Sequence, residues 1–287
     1  MNILFVNDKP LDPQYGGIER VTYLLAECLS AQYNHNIFYL CLNRKIESDL
    51  ILPDFASIFY LPEEAYFCNE VNIAYYSNIL ADNKIDVVIN QRSTYPEMDN
   101  VLDIGEEVIK IAAFHSIVNH TVVERLYTLT HTIDRSCLGS IKHIIKKMLM
   151  PLYLKYKTVS LNKELRNHYQ LISQKSDACV LLSEKYFSDF RDICHPYIPN
   201  MLAIPNPNTF QLSHLNLDNK EKIILYVGRL KESDKSPLNL LKVWARIYNK
   251  HYDWKLFIVG TGEDLDLLQS YSKKCRLERV FFEICAY

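Results

Sequence analysis

Runs of consecutive apolar residues alternate along this chain with stretches whose apolar residues recur every three or four positions. The first rhythm suits a strand buried on both faces, the second a helix with one apolar side. "ILFVN" (Ile3 to Asn7) predicts a buried strand, and a loop with Pro10, Pro13, Gly16 and Gly17 follows. In "IERVTYLLAECLSAQY", Ile18, Val21, Leu24, Leu25, Cys28 and Leu29 share one helical face. "NIFYLCLN" reads as the next strand, with helical and irregular material expected from there through Ala81. Further strands are predicted at "IDVVINQ" (Ile85 to Gln91), "VIKIAAFHS" (Val108 to Ser116), "DACVLLSE" (Asp177 to Glu184) and "LAIPNP" (Leu202 to Pro207). Apolar strands separated by helices predict a parallel sheet covered on both sides.

Asn206 to Asn219, "NPNTFQLSHLNLDN", is polar and turn-rich, which sets the expected boundary between domains 1–208 and 209–287. Beyond it the alternation restarts: strand "KIILYVGRL", helix "PLNLLKVWARIYNKH", strand "WKLFIVG", helix "DLDLLQSYSKKC", strand "RVFFEI". A Rossmann-like unit usually has five or six strands, so this one is expected to be either a minimal unit or an incomplete part of something longer.

Length and composition narrow the function classes. The 287 residues suit two domains, and 48% hydrophobic with 23% charged residues is the profile of a folded protein. A net charge of −2 gives no general attraction to nucleic acid or membranes. The 8 cysteines are scattered without a C-x-x-C pair, which argues for reduced, buried thiols and against a zinc site. "MNILFVND" reads as a strand rather than a signal peptide, and no apolar run reaches the roughly 20 residues that cross a bilayer. A cytoplasmic protein is expected.

Only 7 glycines occur, and Gly16, Gly17, Gly228, Gly260 and Gly262 lie at or soon after the ends of β-like runs. In "LYVGRLKESDKSPLNLL", Arg229 and Lys235 stand on the loop leaving a strand and ahead of a helix. A guanidinium fork, an ammonium and a helix N-terminus together suit a diphosphate. Two surface cations balanced by Glu232 and Asp234 give the same pattern. "VGTGED" supplies Gly260 and Gly262, but Leu265 stands where G-x-G-x-x-G needs its third glycine. The stretch is expected to be a tight turn, and a dinucleotide-dependent oxidoreductase is disfavoured. In "QYGGIER", Gly16 and Gly17 can turn backbone N–H groups toward an anion or a sugar, or form a plain loop. His115 ends the strand "IAAFH", where a histidine can hydrogen-bond a reacting sugar or serve structure alone.

Taken in order, "GGIER", "FHS", "VLLSE", "AIPNP", "LYVGRLKESDKSP" and "KLFIVGTGED" resemble the retaining glycosyltransferases of family 4 with the GT-B fold, from Met1 to about Phe282. The resemblance implies two facing Rossmann-like domains, a nucleotide-sugar donor, a glycan or lipid-linked acceptor and no metal. By it, Gly16 and Gly17 lie at the cleft, His115 contacts the donor sugar, and Arg229 and Lys235 hold the donor diphosphate. The E-x7-E segment of that family has no match here, so the resemblance also carries the expectation of a chain truncated within the second domain. The alternative is then a non-catalytic remnant of such an enzyme.

Between Asp134 and Glu164 no acidic residue occurs, while Arg135, Lys142, Lys146, Lys147, Lys155, Lys157 and Lys163 do. Ile141, Ile144, Ile145, Met148 and Leu152 fall on one helical face. Stretch 135–163 therefore fits peripheral contact with the inner face of an anionic membrane. It equally fits a helix packed on its own domain with its lysines in water, the commoner use of such a face.

Overall fold

The computed structural model describes residues 1–14, 16–42, 53–63, 69–94, 101–105, 107–135, 141–207 and 220–284, and the side chains of all of these except 131–135 and 141–148. The chain divides into two compact units, Met1–Leu126 with Cys137–Thr209 and Tyr127–Ser136 with Phe210–Tyr287.

The sheet of the first unit has, among the described residues, seven strands in the order β3-β2-β1-β4-β5-β6-β7, all parallel. They are β1 (Asn2–Asn7), β2 (Asn36–Cys41), β3 (Ala56–Tyr60), β4 (Val87–Asn90), β5 (Ile109–Phe114), β6 (Ala178–Leu181) and β7 (Met201–Ala203). The helices are α1 (Gly17–Tyr33), α2 (Glu70–Asp82), α4 (Ile141–Lys175) and α5 (Phe187–Cys194), with α3 (His120–Arg135) divided between the units after Leu126.

β1 shows why the strands read as continuous apolar runs. Successive side chains point to opposite faces. Ile3 and Phe5 join Tyr39 and Ala26 of α1 in one core cluster, while Leu4 and Val6 join Leu40 and α2 residues Tyr76 and Ile79 in another. A third cluster fills the space under β5 and β6, where the rings of Phe114, Tyr169 and Phe190 meet at centroid separations of 4.9 to 5.2 Å. Strand β3 was not expected from the sequence. It is an edge strand, paired to β2 alone and half-buried, so it lacks the apolar density of its neighbours.

The second unit has parallel strands β8 (Ile223–Val227), β9 (Lys255–Val259) and β10 (Val280–Glu283), in the order β10-β9-β8. With them go the single turn α6 (Glu232–Lys235) and helices α7 (Pro237–Ile247) and α8 (Leu265–Lys274). Leu241, Trp244, Leu256, Ile258 and Leu268 are its buried centre. Arg279 closes the end of this core. Its guanidinium lies 4.1 Å from the centroid of the Tyr248 ring and donates to the carbonyls of Tyr248, His251 and Trp254. The helices cover one face of this sheet; on the other, Leu225 and Val227 are 61% and 60% exposed.

Candidate functional site

In an open α/β sheet the residues just beyond the carboxyl ends of the strands face the ligand crevice. In the first unit β1 delivers Asn7 and Asp8 there, β4 delivers Gln91 and Arg92, and β5 delivers His115. Asn7 Nδ2 lies 3.4 Å from Glu19 Oε1, and Glu19, on the first turn of α1, is only 2% exposed. Arg92 Nη2 donates to Asp8 Oδ2 at 2.9 Å, while the buried Asp8 Oδ1 has no hydrogen-bond partner among the described residues. Burial raises the Asp8 carboxyl above its usual range, opposed by the charges of Arg92 and Lys9.

The glycine pair divides. A Cβ on Gly16 would come within 2.6 Å of Glu19 Oε2, whereas one on Gly17 would meet nothing within 4 Å. Gly16 makes room for the buried Glu19 carboxylate. Gly17 begins α1 in open space. Sequence reading missed Asp8, Glu19, Gln91 and Arg92. Three of the four shared a signal of position, since "VND" and "NQR" end apolar runs; Glu19, inside α1, gave none.

His115 Nε2 lies 2.5 Å from Gln91 Oε1. With that oxygen accepting, Nε2 carries the proton and Nδ1 is left as a buried acceptor; among the described residues no group meets it at full hydrogen-bond geometry, while the Asn206 side chain, on the same cavity, favours the protonated ring. Behind the ring a cavity of about 310 Å³ runs between α1 and the sheet, walled by Leu24, Leu25, Ile111, Val180 and Ile204. This apolar setting desolvates the imidazole and lowers its pKa to about 4, against the attraction of Glu19. His115 is neutral near pH 7.

The shift predicts a pH dependence. The unfolded chain takes up the His115 proton near pH 6.5 and the folded chain only near pH 4, so this part of the stability is complete above pH 6.5 and is lost as pH falls toward 4. The full loss is about 3 kcal/mol at the usual 1.36 kcal/mol per unit. Urea unfolding at stepped pH should give a shallower acid slope for His115→Gln than for the wild type. Matching slopes would mean that the histidine is hydrated.

In the second unit the loops after β8 and β9 are joined along their backbones. Gly228 N–H donates to Val259 O, Leu230 N–H to Thr261 O and Asp264 N–H to Leu230 O, at 3.0, 2.8 and 3.1 Å. Arg229 leaves this platform exposed, and its guanidinium has no hydrogen bond or ion pair among the described residues. Lys235 is also exposed, with Nζ 3.8 Å from Asp234 Oδ1. A contact that loose between exposed groups contributes little.

Three expectations about this loop are corrected. Lys235 ends the turn α6 rather than sitting on an open loop. Glu232 does not balance the surface cations, because it is buried and its Oε2 accepts from Leu238 N–H at 2.7 Å, capping α7. The same carboxylate occupies the N-terminus of α7, so that helix end offers no free site to an anion. The expected tight turn at Gly260–Gly262 is present, with its glycines packed on the backbone of the β8 loop. Glu263 lies 3.8 Å from Lys231.

Residues 208–283 match the family Glycosyl transferases group 1. This group 1 segment contains Arg229, Lys235 and the three described strands of the second unit. A Haemophilus influenzae protein named as an uncharacterized glycosyltransferase is 39% identical over 79 residues, a span of 28% of this chain and 22% of that relative's length. Among solved structures, the lipopolysaccharide outer core galactosyltransferase WaaB superposes over 100% of this chain and 68% of its own, at 16% identity and a TM-score of 0.62. TarM of S. aureus, solved with fondaparinux, alpha-GlcNAc-glycerol and UDP, gives 100%, 78%, 12% and 0.64 for the same measures. HepE of Anabaena, solved with UDP and glucose, gives 100%, 70%, 13% and 0.57. The fold that carries the group 1 segment is the α/β fold of the GT-B glycosyltransferases.

Proposed function

We propose that the protein is a glycosyltransferase of the family 4 type, moving a sugar from a nucleotide-sugar donor to a glycan or lipid-linked acceptor with retention of anomeric configuration. The observation that carries this reading is the group 1 match over 208–283, which contains an exposed arginine with no ion pair among the described residues. Arg229 grips the donor diphosphate with its forked N–H groups, and Lys235 adds a second positive charge. As the bond from sugar to phosphate breaks, negative charge grows on the departing nucleoside diphosphate, and the two cations stabilise it without a metal. The acceptor hydroxyl attacks from the face the diphosphate leaves, its oxygen bonding the sugar as the bond to phosphate breaks and its proton passing to the departing phosphate oxygen. His115, neutral at working pH, accepts a hydrogen bond from a sugar hydroxyl through Nδ1, and the open backbone at Gly17 leaves room for the donor at the start of α1.

A thermal-shift screen with UDP-, GDP- and ADP-sugars tests the reading. A ligand at about 100 times its Kd stabilises the fold it binds by roughly 2.7 kcal/mol, a rise of several degrees. One nucleotide class should give that rise with the wild type and not with Arg229→Ala. The absence of a shift with every donor at millimolar concentration would sink it.

A further inference from the structure

Helix α4 has two apolar faces. Leu161, Leu165, Tyr169 and Ile172 are buried in the core beneath β5 and β6. Leu149, Leu152, Tyr156 and Val159 are 54%, 70%, 69% and 65% exposed. At 100° per residue these four fall in an arc of about 80°, nearly opposite the core-facing side. Lys155 and Lys157 flank the arc on its two sides, Lys157 lying 6.0 Å from the centroid of the Tyr153 ring, and exposed Lys163 continues it. Among the described residues, packing on its own domain accounts for one face of this helix and not for the other.

The chemistry of the outer face selects its partner. Leu149, Leu152, Tyr156 and Val159 have the three-four spacing of a coiled-coil seam, which a second copy could in principle meet. Two copies would bring lysine against lysine, since no acidic residue lies between Asp134 and Glu164 to answer them. Glu164 itself is held by Arg125 at 3.2 Å and by Ser160 at 3.1 Å. An anionic bilayer satisfies both features. Its acyl boundary takes the apolar side chains, its interface takes the tyrosines, and its phosphates take the lysines.

We propose that the outer face of α4, from Leu149 to Lys163, docks on an anionic lipid surface. The proposal stands on this face alone and is independent of the donor reading. Cosedimentation of the full chain with phosphatidylglycerol-containing vesicles and with pure phosphatidylcholine vesicles tests it. The protein should pellet with the anionic vesicles and stay largely in solution with the neutral ones. Lys155→Gln and Lys163→Gln should each weaken binding about fivefold, the equivalent of about 1 kcal/mol per cation at a charged membrane. Leu152→Glu with Val159→Glu should weaken it more than tenfold. Raising salt from about 0.01 to about 1 M, which shortens the screening length from about 30 to about 3 Å, should release the wild type. All four side chains are exposed, so helicity and the urea midpoint should hold in every variant. If the acidic pair unfolds the protein, the two lysine variants still decide the matter. Equal binding to neutral vesicles, lysine variants that bind like the wild type, or a dimer in light scattering that Leu152→Glu dissolves without any vesicle binding would each overturn the proposal.

Discussion

Replacing Arg229 by alanine should lower donor turnover by about 10²- to 10³-fold, the usual cost of losing one preorganised group that meets charge developing in a transition state. The loss should fall on kcat more than on KM, because the diphosphate gains charge as the bond breaks. Lys235→Ala should lose about as much. The double variant should lose less than the product of the two, since both groups act on one diphosphate. Arg229→Lys should recover part of the rate by restoring charge without the fork. Stability should move by no more than about 0.5 kcal/mol in each, as both side chains are exposed and make no close partner contact among the described residues. Lys231, whose Nζ lies 3.8 Å from Glu263 Oε1, is the matched control, and Lys231→Ala should keep most of the activity. Wild-type turnover in both single variants would reduce Arg229 and Lys235 to ordinary surface cations.

The parts of the molecule legible in the sequence are those where one physical signal acts alone. β1 and β8 were readable because apolar density marks a strand within a parallel sheet, and the cations after β8 because charge at a strand end is visible without coordinates. β3 was not readable, since an edge strand needs fewer apolar residues. Glu232 looked like a surface acid. Its use as a cap depends on the turn α6 and on Ser236 at φ 49°, which together carry the chain back so that the carboxylate meets an N–H six residues ahead. Glu19 was hidden because periodicity counts apolar positions, and the partners that bury it, Asn7 and Gly16, come from outside the helix. For α4, the hydrophobic pattern could report that apolar residues lie on a face without distinguishing a face turned to the core from one turned to solvent.

Gly260→Ala should unfold the second unit at urea concentrations where the wild type keeps it. A Cβ at Gly260 would lie 2.1 Å from the carbonyl oxygen of Gly228, and φ there is +145°, a region that side-chain-bearing residues rarely occupy. Backbone on both sides blocks relief. Gly260 N–H donates to Glu283 O, and Gly228 N–H to Val259 O, so moving either strand end breaks the sheet. Gly262→Ala should act in the same way, with its Cβ 2.3 Å from Leu230 O. Each change should cost at least about 3 kcal/mol, since only strain on backbone groups that cannot shift reaches that size in a loop. In a unit whose described core is three strands and two full helices, that is enough to populate the unfolded form. The two tryptophans of the chain, Trp244 and Trp254, both lie in the second unit, so fluorescence follows its unfolding selectively. Gly17→Ala is the contrasting case: nothing stands within 4 Å of its Cβ and the residue is helical, so it should leave the tryptophan transition where it is. If Gly260→Ala unfolds with the wild type and loses only donor affinity, the glycine serves the ligand and not the joint between the two loops.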